Sequence, residues 1–282
     1  MASTPAGQLA EFVRTRRGRV RPADLGLEPG GRRKVTGLRR EELALLAGVS
    51  ADYLQRIEQG RDVRPSDEVL DALAKALALT EDETRYLLEL GQGARRPAAA
   101  PRRRVPERVP ASTRNLLDLM ACPAMVLSSH LDILAWNALG GSLLGGLEQA
   151  SAEERNMLRA VFLHPESRHV CPDWEQSAIE YIGMFRAAVA TDPDHPRAKE
   201  LVGELTLRSP DFPRLWARHD VRQKTSGSKR FAHPRIGSVL LDWDAYPLPG
   251  SPGPVMVTYT AAPGSADADR LALLSTLVNT PR

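Results

Sequence analysis

Residues 38–65 constrain the fold of this chain more than any other stretch, because they place two short helical patterns on either side of one glycine. The segment reads LRREELALLAGVSADYLQRIEQGRDVRP. Apolar residues between positions 43 and 47 recur at helical spacing and give the first pattern one apolar face. Gly48 follows where a sharp turn needs a left-handed residue, and Ser50 is a natural N-cap for a second helix. The segment therefore predicts two helices joined by a tight turn.

Arginines surround both predicted helices. Two amphipathic helices joined through a glycine occur in many helical proteins, so the turn alone does not indicate a function. Arginines at this density favour a polyanionic partner. The second helix begins with small and polar side chains, which leaves its first turn able to enter a major groove. The arginines of this window are Arg39, Arg40, Arg56, Arg61 and Arg64.

The same window contains the pattern L-A-x-x-A-G-V-S…I-E-x-G. Its positions are Leu43, Ala44, Ala47, Gly48, Val49, Ser50, Ile57, Glu58 and Gly60. On these residues the segment resembles the DNA-binding domain of the Xre family, the Cro and phage-repressor type of helix-turn-helix. The resemblance implies five helices, at Leu9–Arg17, Arg40–Ala47, Ala51–Gln59, Ser66–Ala78 and Glu81–Leu90.

The resemblance also implies which residues face double-stranded DNA. We expect Arg40 and Arg56 to read bases directly, since a guanidinium pairs bidentately with guanine, at about 1–3 kcal/mol of discrimination each. Asp52 has two open roles, as an acceptor for a cytosine amino group or as a favourable charge at a helix N-terminus. Arg61 and Arg64 would contact phosphates. The expected DNA-binding residues are Arg39, Arg40, Ser50, Ala51, Asp52, Tyr53, Gln55, Arg56, Arg61 and Arg64.

Charge and composition divide the chain. Residues 1–110 carry 21 Lys and Arg against 16 Asp and Glu, whereas the remainder carries 17 against 19. A stretch rich in Pro, Ala and Arg separates the two parts and cannot form a packed core. We expect a helix-turn-helix domain over 1–92, a linker over 93–111 and a ligand-binding domain over 112–282. The insertion at 20–36 departs from the Xre pattern, and we interpret it as a phosphate clamp or minor-groove arm rather than a spacer.

The sequence has no signal-like start and no apolar run of about 18 residues, so we expect a cytoplasmic protein without membrane contact. Cys122 and Cys171 do not form a disulfide framework in that compartment, and we interpret them as small buried hydrophobes. A cluster of two histidines, Cys171 and Asp173 over 164–173 resembles a metal or thiol site, but it lacks the spacing of a known catalytic motif. We therefore expect no enzyme activity, no metal and no cofactor.

In the C-terminal part, the spacing of apolar residues is typical of strands in some segments and of helices in others. Met125–Leu127 and Ile133–Trp136 predict a hairpin. Helical patterns follow over 152–162, 174–189 and 197–207, with a short helix capped by Ser209. Strand patterns then occur at 221–225 and 229–233 around a Ser-Gly-Ser turn, and again at 238–244 and 255–259, before a closing helix at 266–278. These patterns predict an antiparallel sheet of about five strands with helices on one side, so the chain is a multidomain protein, α followed by α+β.

A second resemblance covers nearly all of this part. It is carried by Pro123-Ala124, Ala135-Trp136-Asn137, Arg155-Asn156, Phe162, Asp173-Trp174, Glu204-Leu205, Arg208-Ser209, Phe212, Leu215-Trp216, His219, Val221, Lys229, His233-Pro234, Gly237 and Tyr259. On these residues the chain resembles the MmyB-type ligand-binding domain, which is similar in fold to PAS sensors. The resemblance implies a small-molecule pocket and, for some relatives, a fatty acid. With the helix-turn-helix it implies a transcription regulator, which we expect to act as a homodimer.

A sensor pocket combines apolar walls with a few polar groups that orient the ligand. Arg155 or Arg208 would suit a carboxylate through a bidentate pair. A structural role for these arginines and asparagines, as helix caps or partners of Glu204 and Asp173, is equally open. An antitoxin-like protein-interaction module is the alternative to a small-molecule sensor. The expected ligand-binding residues are Trp136, Asn137, Arg155, Asn156, Trp174, Arg208, His233 and Tyr259.

Overall fold

A computed structural model describes residues 4–26, 36–61, 64–95, 107–145, 147–221, 225–249 and 253–279. The chain divides into two units. The first comprises Met1–Arg102, Arg186–Lys199 and Ala217–Arg222, and the second comprises Arg103–Phe185, Glu200–Trp216 and Gln223–Arg282. Within the described ranges, no helix is both long and apolar enough to cross a membrane.

Helices form the N-terminal part of the first unit, and all five predicted helices are present. The first begins earlier than predicted, and the fifth continues into the predicted linker. Residues 27–35 of the insertion and 96–106 of the linker lie outside the described residues. The elements are α1 (Pro5–Arg19), a 3₁₀ helix (Pro22–Leu25), α2 (Arg40–Leu46), α3 (Ala51–Glu58), α4 (Asp67–Ala76) and α5 (Glu81–Arg95).

Side-chain caps and one glycine set the helix boundaries, as the sequence predicts. The Ser50 hydroxyl accepts a hydrogen bond from the Tyr53 backbone N–H at 3.1 Å and begins α3. Thr80 and Glu83 form a reciprocal capping box, with the Thr80 N–H donating to the Glu83 carboxylate at 3.0 Å. Gly48 has a φ of 65°, so the turn between α2 and α3 occupies the left-handed region that glycine adopts without strain.

A single hydrophobic core holds the first unit together. Phe12 and Tyr86 meet edge to face in it, with ring centroids 5.1 Å apart. Ala190 and Val221, from the C-terminal segments of this unit, belong to the same core. The most buried of its other members are Leu9, Val13, Leu38, Leu43, Ala44, Leu54, Ile57, Leu70, Leu73, Ala74, Leu77, Leu87 and Leu90.

A buried histidine among arginines extends this core. The Arg186 guanidinium donates to Nδ1 of His219 at 3.1 Å, and Arg16 donates to the His219 carbonyl at 2.8 Å. Burial, and then the nearby positive charges of Arg186, Arg16, Arg19 and Arg14, lower the pKa of His219 to about 3. The imidazole is therefore neutral at pH 7.

The second unit is built on an antiparallel sheet of five strands in the order β2-β1-β5-β4-β3. The predicted hairpin and the predicted strand number are both confirmed. The strands are β1 (Ala124–Leu127), β2 (Ile133–Trp136), β3 (Ser226–His233), β4 (Gly237–Pro247) and β5 (Val255–Thr260).

The register of β3, β4 and β5 brings one set of alternate residues together. Lys229 lies opposite Leu241, and Trp243 lies opposite Tyr259. Side chains that alternate along a strand share one face of a sheet. The buried face of this part of the sheet therefore carries Lys229, Phe231, His233, Val239, Leu241, Trp243 and Tyr259.

In the described residues after α5, eight further helices are present. The predicted helix at 152–162 begins only at Met157, because the Asn156 side chain caps it there. Helices α6, α7 and α9 were not predicted, whereas α10 to α13 match the predicted segments closely. The bounds are α6 (Ala111–Leu119), α7 (Ala138–Leu144), α8 (Met157–Leu163), α9 (Ser167–Val170), α10 (Trp174–Thr191), α11 (Pro196–Arg208), α12 (Asp211–Trp216) and α13 (Ala266–Asn279).

The predicted turn at 226–228 is wrong, because these residues are the first three of β3. Gly227 pairs with Trp243, and a Cβ on Gly227 would lie 3.0 Å from the indole nitrogen. The glycine therefore allows a close approach of the indole and does not mark a turn. The chain instead reverses between His233 and Gly237, whose φ is 76°. Val221 lies outside any strand, and 222–224 lie outside the described residues.

Candidate functional site

Helix α3 presents a polar face opposite its buried face. Leu54 and Ile57 are buried in the core of the first unit, while Asp52 and Arg56 are exposed. Ala51 and Gln55 are half-buried between these faces, and Tyr53 packs against the core as well. The hydroxyl of Ser50 is used in the cap of α3. The predicted base-contacting residues of α3 thus lie on one side of one short helix.

A buried carboxylate fixes α3 to its neighbours. Glu58, at the end of α3, is only 4% exposed. It accepts from Nε of Arg17 on α1 at 2.5 Å and from Nε of Arg40 on α2 at 2.9 Å. Arg17 also donates to the Leu38 carbonyl at 2.9 Å. Arg40, predicted as a base contact, is therefore anchored by an ion pair within the domain, and its side chain is about one third exposed.

The other predicted arginines have no such anchor. Arg56, Arg61 and Arg64 are exposed, and none of them forms an ion pair with a carboxylate of the described residues. Arg39 precedes α2 and is exposed as well, with its backbone N–H donating to Glu42 at 2.7 Å. Four positive side chains therefore remain available to phosphates or bases.

In the second unit, both predicted asparagines act as helix caps. Asn137 begins α7, with Oδ1 accepting from the backbone N–H groups of Gly140 at 2.8 Å and Ala124 at 3.0 Å. Asn156 begins α8, and its Nδ2 donates to the His130 carbonyl at 2.9 Å. These caps occupy the amide groups of both side chains, so the structural alternative accounts for their burial.

Three further predicted ligand residues contact neighbouring protein groups. The Arg155 guanidinium lies 4.9 Å from the centroid of the Trp136 ring and donates to the Leu147 carbonyl at 2.8 Å. The Trp174 indole donates to the Val161 carbonyl at 2.7 Å. Arg155 and Trp136 come together, whereas the Trp174 ring contacts Phe162 and Arg168.

Arg208 and His233 are also engaged. The Arg208 guanidinium pairs with Glu204 at 2.6 Å, one helical turn away, and is mostly exposed. His233 is buried, with Nδ1 accepting from the Arg235 N–H at 3.2 Å and Nε2 lying 3.1 Å from the Ser142 carbonyl. These two contacts assign the ring proton to Nε2.

Tyr259, the last of the predicted ligand residues, lies in a buried polar cluster. Its hydroxyl is hydrogen-bonded to the hydroxyl of Tyr181 on α10. The Tyr181 oxygen also accepts from Nζ of Lys229 at 2.8 Å. We call these three residues the lysine-tyrosine cluster.

The cysteine and histidine stretch at 164–173 does not assemble a metal site within the described residues, where no three His, Cys, Asp or Glu side chains group around one point. Cys171 lies 3.2 Å from the Ser177 hydroxyl. Nδ1 of His164 accepts from the Glu166 N–H. These side chains make local contacts within a segment that joins two helices.

Comparison with protein families finds a matching family model for each of the two parts of the chain. Residues 8–87 match a helix-turn-helix domain model. Residues 109–274, more than half of the chain, match the model of the MmyB-like transcription regulator ligand binding domain. The chain belongs to the MmyB-like transcription regulators. A comparison with curated proteins finds no match.

An MmyB-like regulator of this architecture combines a DNA-binding domain with a ligand-binding domain, so this protein is a ligand-responsive transcription regulator. Neither matched family is an enzyme family.

Sequence reasoning missed two members of the lysine-tyrosine cluster as candidate ligand residues of this MmyB-like regulator, namely Tyr181 and Lys229. A signal for Lys229 was present. It alternates with Phe231 and His233 along β3, at the spacing that places all three on one face, and a lysine at such a position is unusual. Tyr181 carried no such signal, because it lies within an apolar stretch of a long helix.

Proposed function

We propose that this MmyB-like regulator reads a specific operator through the exposed face of α3, in the manner of an Xre-type helix-turn-helix. The observation that carries this proposal is the pairing of Glu58 with Arg17 and Arg40, which holds α3 in place while Arg56 stays exposed and unpaired with any described carboxylate. A guanidinium at this place can bind guanine O6 and N7 bidentately. Arg39, Arg61 and Arg64 supply contacts to phosphates.

The regulator acts as a homodimer in this proposal. Two copies of α3 would enter successive major grooves about 34 Å apart, so the operator is a pseudo-palindrome. The protein would work in the cytoplasm, where it meets the chromosome.

The C-terminal domain binds a small, largely apolar molecule, with a fatty acid as the class that the resemblance implies. Support comes from the buried sheet face, which is rich in aromatic and aliphatic side chains such as Phe231, Leu241 and Trp243. Ligand binding changes DNA affinity only to the extent that the ligand prefers one of two states of the protein.

The test is a selection of genomic DNA fragments by the full chain, followed by affinity measurements on the selected site and on an unrelated duplex. Arg56→Ala should weaken binding to the selected site by about tenfold or more, since one bidentate contact is lost, and should change binding to the unrelated duplex little. Arg85→Ala, which alters an exposed arginine of α5, is the matched control and should leave both affinities unchanged. Equal losses on the two duplexes for Arg56→Ala would assign that residue to a phosphate, and no enrichment of any fragment would refute sequence-specific reading.

A further inference from the structure

An open apolar groove of about 360 Å³ lies beside α13 in the second unit. Four of its lining residues recur at the spacing that places them on one side of α13, and the others are Ala121, which follows α6, and Ala261, which follows β5. The four residues of α13 are Ala268, Leu271, Ala272 and Ser275. Five of the six lining side chains are alanine or serine, so the groove is a depression that a larger side chain can enter.

Helix α13 is more apolar than its burial in one chain explains. Leu274 is its one buried residue between positions 266 and 278. Leu273 is 48% exposed, and Ala272 in the groove is exposed as well. A helix with apolar residues on all sides is normally covered on all sides. Helix α13 packs against β4 and α7, but the described residues leave its groove side without a cover.

Helix α6 exposes two leucines beside this groove. Leu116 and Leu119 are 47% and 83% exposed, and residues three positions apart are neighbours on a helix surface. Leu117 is the one buried residue among the nine of α6. Helices shorter than about 12–15 residues are marginal unless an apolar face is packed. The leucine face of α6 therefore also lacks a cover within the described residues, and Leu119 is two residues from Ala121 of the groove.

We propose that the leucine face of α6 and the groove of α13 form the homodimer interface of this regulator, with Leu119 of each copy lying in the groove of the other. A two-fold axis brings the same surface of both copies together, so that surface must contain its own complement. Here an exposed leucine and a depression that can receive it lie on one surface. A small-molecule site buries most of its ligand, whereas this groove is open at Ala272. The proposal rests on the homodimer of the proposed function and names its interface.

Charge and size both fit a second copy. Arg108, Arg114 and Asp269 are exposed, and none of them forms an ion pair with a described residue. The two arginines lie before and within α6, and the aspartate lies in the first turn of α13, so the rims of the two surfaces differ in charge. The two helices offer about twenty exposed or half-buried residues, at the lower end of the roughly 20–30 that each partner brings to a stable interface.

The first measurement is sedimentation equilibrium of the full chain without DNA, over a range of about 1–100 μM. The wild-type chain, with a monomer mass of 30.9 kDa, should dimerise within this range. Leu119→Glu should raise the dissociation constant at least about a hundredfold, because the two-fold axis repeats a loss of about tenfold at two places. Leu207→Glu on α11 and Leu45→Glu on α2 are the matched controls. These leucines are 87% and 80% exposed, and both variants should keep the wild-type dissociation constant.

The second measurement changes the groove instead of the leucine. Ala272→Phe fills the depression from its own side, and the exposed position leaves room for the ring in a single chain. The dissociation constant should rise by about tenfold or more, because overpacking keeps the leucine of the other copy out. Ala160→Phe, which changes an exposed alanine of α8, is the matched control and should leave the dissociation constant unchanged.

A dimer that survives Leu119→Glu or Ala272→Phe, or an equal loss in a matched control, would overturn this interface and leave the homodimer itself in place. A wild-type chain that stays monomeric up to about 100 μM would assign the groove to another occupant and would also overturn the proposal. These outcomes are independent of DNA. A failed genomic selection would count against the proposed reading of an operator and would leave the measured dissociation constants unchanged.

Discussion

Glu58 and its two arginine partners show how one buried charge can determine local structure. The carboxylate lies at the end of α3, while Arg17 belongs to α1 and Arg40 begins α2. Two buried ionic groups lose hydration, so such a pair adds little net stability, but removal of one partner leaves an expensive unpaired charge. The cluster therefore specifies the relative placement of α1, α2 and α3.

We expect Arg17→Met to destabilise the protein by about 3 kcal/mol in urea unfolding, at the lower end for a broken buried pair because Arg40 still contacts Glu58. Arg61→Met, which changes an exposed arginine without an ion pair to a described residue, should change stability by less than about 0.5 kcal/mol. The double variant Arg17→Met/Glu58→Gln should recover about half of the loss, because the buried carboxylate is gone. If Arg17→Met were as stable as Arg61→Met, the pair would have no structural role.

The neutral state of His219 predicts a dependence of stability on pH. Its pKa is about 3 in the folded chain, whereas an unfolded histidine has a pKa of about 6.5. Only the unfolded state gains this proton between these values, so stability falls as the pH is lowered from 6.5 towards 3, by up to about 1.4 kcal/mol per pH unit.

His219→Asn removes this titration and tolerates the positive φ of 49° at this position. The unfolding free energies of the two proteins, measured between pH 7.5 and pH 5, should therefore converge as the pH falls. Parallel curves would mean that His219 has the same pKa in the folded and the unfolded chain, and a relative gain in wild-type stability at low pH would mean that folding favours the protonated ring, with Glu11 at 3.7 Å as its partner.

At the scale of elements, β3 shows how close contact with a neighbouring strand can require a glycine. Gly227→Ala would place a Cβ 3.0 Å from the Trp243 indole nitrogen, so we expect a loss of about 1–3 kcal/mol from overpacking. Gly203→Ala is the matched control, because a Cβ there meets nothing within 4 Å and the residue lies inside α11. Thermal unfolding should show Gly203→Ala stabilised by about 0.5–1 kcal/mol. A neutral Gly227→Ala would mean that the indole is not held against this strand.

Elements with a local signal could be predicted, and those without one could not. The five N-terminal helices follow from caps and apolar spacing inside each segment, as at Ser50 and Thr80. Helix α7 has the sequence ALGGSLL, whose two glycines oppose a helix, and it forms because Asn137 caps it and Gly140 packs closely on Ala124. The tertiary contact outweighs the local preference there.

The same difference separates the two candidate sites. The face of α3 that we propose to contact bases lies within one eight-residue helix, so its residues could be named from the sequence. The lysine-tyrosine cluster combines α10, β3 and β5. The strand register places Lys229 and Tyr259 on one face of the sheet, and Tyr181 reaches them from a helix that is distant in sequence from both strands. Asn137 and Asn156 are polar residues of the kind that can contact a ligand, but their side-chain amides form hydrogen bonds with backbone groups of the protein.

At the scale of the whole molecule, the uneven charge predicts a steep salt dependence. Residues 1–110 carry a net charge of +5 in a chain of +3, so DNA affinity includes a large counterion-release contribution. The slope of log K against log salt should become shallower by about 1.8 in Arg61→Ala/Arg64→Ala, at about 0.9 for each lost phosphate contact. The preference for the selected site should remain. An unchanged slope would place both arginines away from the duplex.

The core of the first unit includes Ala190 and Val221, which lie 103 and 134 residues beyond the end of the helix-turn-helix match at residue 87. A fragment cut after α5 would lack both side chains and expose the apolar surface that they cover. Chimaeras that exchange DNA-binding parts between such regulators therefore need to carry Arg186–Lys199 and Ala217–Arg222 along with the N-terminal helices. The continuous segment that matches the helix-turn-helix model is therefore shorter than the set of segments that must fold together as the first unit.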